Sequence, residues 1–360
     1  MALEKLSAGT YKFYAPRFEI EIQGTALAAD MSKAIISVSI AEKLNEGANF
    51  TITVNDEFDL STQTFKWLDH ALFNLGNTVK IKFGYESSLE LLMIGKITGI
   101  ESSFFSGDTP TVTVRGHDLA YDAIKRSSPE QAFEKMTYSD IVKSIGSKAG
   151  LTVQADSTEK FAQQIRKTNQ ESYFTFIERL AREVGFQFNI DRQTLSFKKP
   201  EVDKKEILEM ALGKDIISFN PDMNSTRVLS EVEVRGHNPQ DPGSPIIGRA
   251  TAGSELSQES GKKTASQACP TVSKRIITNV IVTSVNHANA IAKSALNNAS
   301  ASFIEGTVES IGIQQIKPGV NIKLEKMGKR FSGKYYVLET THTINDSGYK
   351  TSFKVSRNAV

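Results

Sequence analysis

Cys269 is the only cysteine in the 360-residue chain. A disulfide within one chain is thereby excluded, and so is a cysteine-based metal cluster. A protein assembled in the cytosol is expected. No stretch approaches the roughly eighteen apolar residues of a membrane-crossing helix. Residues Met1–Thr10 carry Glu4 and Lys5 and lack the apolar run of a signal peptide, so neither a membrane partner nor general secretory export is expected. An excess of charge of one sign is also missing. Lys plus Arg number 43 against 41 for Asp plus Glu, a formal charge of +2. That balance is too even for the field a dedicated nucleic-acid binder needs, and no sequence-specific nucleic-acid partner is expected. Hydrophobic residues at 39% and charged residues at 23% are ordinary for folded chains, and the length suits two or three domains.

What the chain does contain is short alternation of apolar and polar residues. Between Phe18 and His117 it recurs in FEIEIQG, AIISVSIAEK, NFTITVN, TVKIKFGY, LLMIGKITGI and TVTVRGH. A period of two, punctuated by Gly, Asn and Asp, predicts half-buried antiparallel strands in a barrel or sandwich. A short helix around Thr62 to Ala71, carrying the lone Trp67, is expected to interrupt them. Beyond Leu119 the pattern changes. Thr137 followed by Asp140 makes a capping box ahead of Ile141, Ile145 and Ala149, with Gly150 as the stop. Ser172 caps a second helix whose stripe is Phe174, Ile177, Ala181 and Val184, and Gly185 ends it before the hairpin FQFNI-DRQ-TLSFKK. After Pro200 strands return. A Gly/Ser/Pro/Gln/Thr-rich stretch at about 238–273 is expected to be an exposed loop, because it has too little apolar surface to offset chain ordering. A helix at about 286–303 and four closing strands complete the reading. The fold class expected is mainly β, with two related antiparallel β-barrel domains and a small α/β module: residues 1–125, 126–200 and 201–360.

Val112–His117 and Val232–His237 share the pattern V-x-V-R-G-H, 120 positions apart. Each ends a β-rich run at a glycine, where leaving a curved strand needs a positive φ or no side chain. The placement points to a duplicated barrel.

Residues with chemical potential are few and scattered. His70, His117, His237, His287 and His342 show no H-x-x-x-H or H-E-x-x-H spacing, and a reading as strand-end histidines bonded to backbone or water fits them best. Carboxylates for sugar hydrolysis would have to come from Asp118, Glu178, Glu183 or Asp191. Glu178 and Arg182 read instead as a solvated i,i+4 pair. There is no G-x-S-x-G, no G-x-x-x-x-G-K and no G-x-G-x-x-G ahead of a helix. No catalytic, cofactor-binding or metal residue is assigned. Lys80, Lys82, Lys323 and Lys326 on strands read as cover for solvent faces, with a channel lining as the alternative. The Ala-rich helix near 288–301 reads as packed on a barrel.

The stretch Tyr173-Phe174-Thr175-Phe176-Ile177-Glu178-Arg179-Leu180-Ala181-Arg182-Glu183-Val184-Gly185-Phe186, running into the hairpin Phe188 to Phe197, resembles the phage late-control protein D family of baseplate hubs. Similar agreement is found in VRGHD, in Pro318-Gly319-Val320, in Gly333-Lys334-Tyr335-Tyr336-Val337 and in Gly348-Tyr349-Lys350-Thr351. That family shares its hub fold with the N-terminal part of the valine-glycine repeat spike proteins of type VI secretion. The resemblance implies two similar barrels per chain and a homotrimeric ring, so that six barrels stack on a hexameric tail tube above a trimeric spike. The implied partners are the tail tube protein, a spike protein and baseplate wedge or tube-adaptor proteins. Because the sequence stops at Val360, the spike is expected to be a separate protein. The implied location is a virion or tail-like particle. A tail-associated peptidoglycan hydrolase or cell-wall-binding protein is the alternative.

Overall fold

The structure is a computed structural model that describes residues 15–104, 109–125, 129–161, 164–237, 243–253, 273–278 and 280–358. Cys269, Met1–Thr10 and most of the 238–273 stretch lie outside the described residues.

The alternating segments are strands. They comprise β1 (Pro16–Ile22), β2 (Ile35–Lys43), β3 (Asn49–Asn55), β4 (Thr78–Tyr85), β5 (Ser88–Ser103) and β6 (Thr111–Asp118). In β4, Val79, Ile81 and Phe83 are buried while Lys80 and Lys82 point the other way. Each such apolar side chain contributes about 1.5–3 kcal/mol on leaving water. The expected helix at Thr62 to Ala71 does not form. Two-residue strands pair Phe58 with Phe65, and the Asp56 carboxylate accepts from the Trp67 and Leu68 amides at 2.8 and 3.0 Å, which fixes a turn instead.

The middle of the chain holds α1 (Leu119–Lys125), β7 (Gln131–Glu134), α2 (Tyr138–Lys148), β8 (Thr152–Ala155), β9 (Gln164–Lys167), α3 (Tyr173–Val184), β10 (Gln187–Asp191) and β11 (Thr194–Lys198). The predicted caps are present. Thr137 accepts from the Asp140 amide at 3.2 Å and Ser172 from the Thr175 amide at 3.1 Å. Gly185 adopts φ +69°, the left-handed stop a glycine supplies.

The last part contains β12 (Leu208–Ala211), β13 (Ile216–Met223), β14 (Glu231–Gly236), β15 (Ile246–Thr251), β16 (Lys274–Ile277), α4 (Val285–Ala301), β17 (Ile304–Ile311), β18 (Asn321–Glu325), β19 (Gly333–Asn345) and β20 (Gly348–Arg357). Strand β15 corrects the expectation of a loop throughout 238–273. Its Gly248 and Ala250 lie against α4, and a Cβ on Gly248 would come within 2.2 Å of the Ala288 carbonyl carbon. Close approach to a helix holds in place a segment whose composition reads as loop.

The chain is mainly antiparallel β. Among the described residues thirteen strands join one sheet in the order β13-β17-β20-β19-β2-β3-β6-β5-β4-β1, ending on a two-residue strand, with β12 and β18 branching from β19. Strand β2 therefore pairs with β19, from Glu339 opposite Lys43 to Asn345 opposite Ser37. The long β19–β20 hairpin serves two cores at once. Tyr335, Val337, Phe353 and Val355 at its base pack with Leu208, Val308 and Leu324, whereas Ile344 and Tyr349 at its tip pack with Phe50, Ile81 and Phe83.

The two V-x-V-R-G-H segments do not occupy matching places. β6 lies between antiparallel neighbours β3 and β5 in the large sheet, while β14 is the centre of a separate three-stranded sheet with β16 parallel to it. The segments share chemistry instead. Each buries its valines and glycine and ties its arginine to a glutamate, Arg115 to Glu101 at 2.8 Å and Arg235 to Glu233 at 2.6 Å. The glycines are there for space and not for φ. A Cβ on Gly116 would lie 2.2 Å from the Lys96 carbonyl oxygen and 2.4 Å from the Phe50 ring, and one on Gly236 would lie 1.6 Å from a Val282 methyl.

Gly116→Ala is accordingly expected to destabilise the protein by about 1–3 kcal/mol, the range for overpacking. Gly99→Ala, where a Cβ meets nothing within 4 Å, is expected to change stability by less than about 0.5 kcal/mol. Equal urea midpoints for the two variants would contradict this.

Candidate functional site

The polar groups that matter lie at the seams between parts of the chain far apart in sequence. The first seam surrounds His342 on β19, which has no solvent exposure. Its Nε2 is 3.0 Å from the Ile316 carbonyl, which only accepts, so Nε2 carries the proton. Nδ1 is left to accept from the Tyr349 and Thr351 hydroxyls at 3.0 and 3.1 Å. The Thr351 hydroxyl in turn accepts from the Ile313 amide at 3.0 Å. From the other side, Tyr85 on β4 donates to the Gly312 carbonyl at 2.8 Å, and Gln314 donates to the Phe83 carbonyl at 3.2 Å. These bonds fasten the 312–317 segment to β4 and to the hairpin. Burial pushes the His342 pKa down to about 4, so the ring is neutral at ordinary pH.

The second seam joins α2 and α3 to α4. The Tyr138 hydroxyl donates to Glu183, and His287 Nε2 is 3.3 Å from the same carboxylate. Arg179 sits 3.6 Å from Glu183 and also bonds Glu171 at 2.8 Å. Phe161 lies face to face with the His287 ring at 5.1 Å, and Thr283 donates to the Phe161 carbonyl at 2.6 Å. Burial alone would raise the Glu183 pKa, but the bonds from His287 and Tyr138 hold it below the usual carboxylate range. The sequence places Glu183 and His287 over a hundred positions apart, and no spacing pattern signals their meeting. Glu178 and Arg182 form no ion pair among the described residues. The i,i+4 pair on α3 is Arg179 with Glu183, because that side of the helix faces the seam.

The other sequence candidates are dispersed. Asp118 caps α1, accepting from the Ala120 and Tyr121 amides at 2.8 and 3.3 Å, yet burial raises its pKa to about 7. Burial likewise raises Glu42 to about 7, against the pull of Lys317. Asp191 pairs with Arg192 at 3.0 Å and Lys317 at 3.3 Å. His70 Nδ1 accepts from the Leu72 amide at 3.3 Å, His117 is half-buried and His237 is exposed. Lys82 bonds Glu19 and Glu21 at 2.5 and 2.6 Å, Lys80 lies 3.7 Å from Glu21, and Lys323 lies 2.7 Å from Glu325. The Lys80 and Lys82 pairs cross between neighbouring strands and the Lys323 pair lies along one strand, and pairing of this kind is what solvent-face lysines do.

A cleft of about 560 Å³ opens where the parts meet, lined among others by Asn45, Gln187, Asn297, Asn321, Tyr336 and Arg357. Neither raised carboxyl, Glu42 or Asp118, lines it. A sugar-cleaving acid has to be protonated at the reacting bond. Glu183 is held ionised and its oxygens are occupied by Tyr138, His287 and Arg179. Its chemistry is that of a clasp. Among the described residues no three His, Cys, Asp or Glu side chains are placed to hold a metal, and no helix is long and apolar enough to cross a membrane.

The family model described as the Alg8 N-terminal domain matches residues 14–346. The chain belongs to that family. No curated protein sequence matches it. Among solved structures, this Alg8 N-terminal domain family member is similar to the 43 kDa tail protein of prophage MuSo2 from Shewanella oneidensis. The identity there is 14%, covering 96% of this chain and 99% of that one, with a TM-score of 0.74. A tail protein from Neisseria meningitidis MC58 aligns at 12% identity over 96% and 97% of the two chains, TM-score 0.69. The E. coli c3393 protein, a component of the type VI secretion system, aligns at 14% identity over 93% of this chain and 76% of its own, TM-score 0.56. At such identities the likeness shows the fold, which is that of tail and injection-system proteins.

His342 gives the seam a pH signature. An unfolded chain protonates this histidine near its ordinary 6.5, whereas the fold refuses the proton down to about 4. Stability is therefore lost as pH falls through that window, by up to about 1.4 kcal/mol per pH unit. Glu42 and Asp118 act in the opposite sense, since the fold keeps their protons up to about 7. Urea unfolding of wild type and His342→Gln between pH 7 and pH 4 isolates the histidine, with the wild-type advantage expected to shrink as pH falls. Parallel stability curves would contradict the assignment.

Proposed function

We propose that the chain is a structural baseplate hub of a contractile phage tail or tail-like injection system, related to the late-control protein D family. In this reading three copies form a ring that adapts a hexameric tail tube to a trimeric spike. Residues 1–125 and 201–360 supply the two barrel units, and 126–200 the module between them. The observation that carries it is the near full-length fold likeness to two tail proteins, one of them from a prophage, reaching 96% of this chain in each case. The seams support it as well. Buried polar clasps at His342 and at Glu183 fix the parts against one another, as a load-transmitting adaptor requires. The partners proposed are the tail tube protein, a spike protein and wedge or tube-adaptor proteins, in a virion or tail-like particle.

Native mass spectrometry at micromolar concentration, with and without the spike protein, tests the reading. A mass of three chains is expected. A strict monomer, unchanged by the spike protein, overturns it.

A further inference from the structure

Two exposed surfaces of opposite charge stand out, each carrying apolar side chains that no core absorbs. The first is the turn region after β3. Phe58 is 41% exposed, Leu60 84% and Phe104 60%. Phe58, Phe65 and Phe104 form a continuous aromatic run, with ring centroids 4.7 and 5.2 Å apart. Acidic side chains rim it. Glu57, Asp59 and Asp69 are exposed, and the neighbouring cation, Lys66, is shared between Glu57 at 3.2 Å and Asp30 at 3.7 Å.

The second surface is the outer face of the sheet β15-β14-β16, whose other face packs on α4 through Val232, Val234 and Ala250. The register sets Arg249 and Ile276 beside Glu233, and Ile247 beside Arg235. Glu233 has no exposed side-chain surface, because Arg235, Arg249 and Lys274 lie across it at 2.6, 2.9 and 2.6 Å. Three cations that stay 50%, 60% and 32% exposed thus face two carboxylates, the buried Glu233 and Glu231, which takes Lys274 at 3.0 Å, and the face keeps a net positive charge. Ile247 and Ile276, 36% and 48% exposed, flank it.

We infer that these two surfaces are the halves of one joint between copies of this chain, the acid-rimmed aromatic turn of one copy seated on the basic, isoleucine-flanked sheet face of the next. Aromatic anchors inside a ring of complementary charge are the make-up of a specific interface. Because the two halves differ, the contact is head-to-tail, and such a contact closes into a ring when its rotation permits. The inference rests on the trimeric hub and names the interface that builds it.

Charge reversal tests the joint. Glu57→Lys combined with Asp59→Lys is expected to convert the three-chain species seen in native mass spectrometry to single chains, and Arg249→Glu is expected to do the same. All three reversals in one chain should restore the trimer, since the joint is then rebuilt with its charges exchanged. Ile276→Ser, which removes apolar surface and places no new charge beside Glu233, provides a second probe of the sheet face and should also release single chains. Melting temperatures within a few degrees of wild type show that assembly and not folding was lost. A trimeric wild type whose folded single-side reversals stay trimeric overturns the joint alone. A wild type that stays monomeric with the spike protein present overturns the joint and the hub together.

Discussion

The pairing of β2 with β19 is the contact on which the rest of the architecture depends. It joins strands about 300 positions apart into one sheet and carries the hairpin tip, with Ile344 and Tyr349, into the core built by β1 to β6. A one-residue slip in this ladder would turn both faces of β19 the wrong way. His342 and Thr340 lie within the paired stretch, opposite Ile40 and Glu42, so the register also sets which polar groups are buried there. From this stretch His342 reaches Ile316 and, across the hairpin, Tyr349 and Thr351. A neutral histidine that both donates and accepts suits that position. Burial disfavours the charged ring there, and the nearby Lys317 charge adds to that.

Convergent polar bonds hold the other seams. At the second seam Glu183 draws a tyrosine, a histidine and an arginine from three helices to one carboxylate, and Ser294 on α4 donates to the Arg182 carbonyl at 2.7 Å. Buried groups bound this way are costly to separate, because each leaves a partner unsatisfied. The middle hairpin is tied to both neighbours. The Phe188 amide donates to Asn45 at 2.9 Å and the Tyr336 hydroxyl donates to Gln187 at 2.6 Å.

Much of this was readable from local patterns. Period-two alternation locates β1 to β6 because each has one face in a core and one in solvent. Thr137, Ser172 and Gly185 announce helix ends because capping is a contact within three or four residues. What escaped depends on distant partners. Trp67 reads as helical until Asp56 is seen holding its amide. Residues 246–251 read as loop until α4 is placed against Gly248. The matched V-x-V-R-G-H segments report a shared local need, a glycine where a neighbour comes close, and β6 and β14 meet that need in unrelated sheets. Glu178 and Glu183 are equally plausible by spacing, and only the position of His287 separates them. The aromatic turn at Phe58 and Phe65 carries no period that sequence reading would single out as a surface.

One shared hairpin makes a single cooperative body of the strands before residue 118 and those after residue 208. Native-state hydrogen exchange followed by peptide mass measurement tests it most directly. Amides of β2 and β19 are expected to open only with the whole molecule, at the same free energy as those of β4 and β17. Earlier release of β1 to β6 as a separate unit, with β17, β19 and β20 still protected, would contradict it.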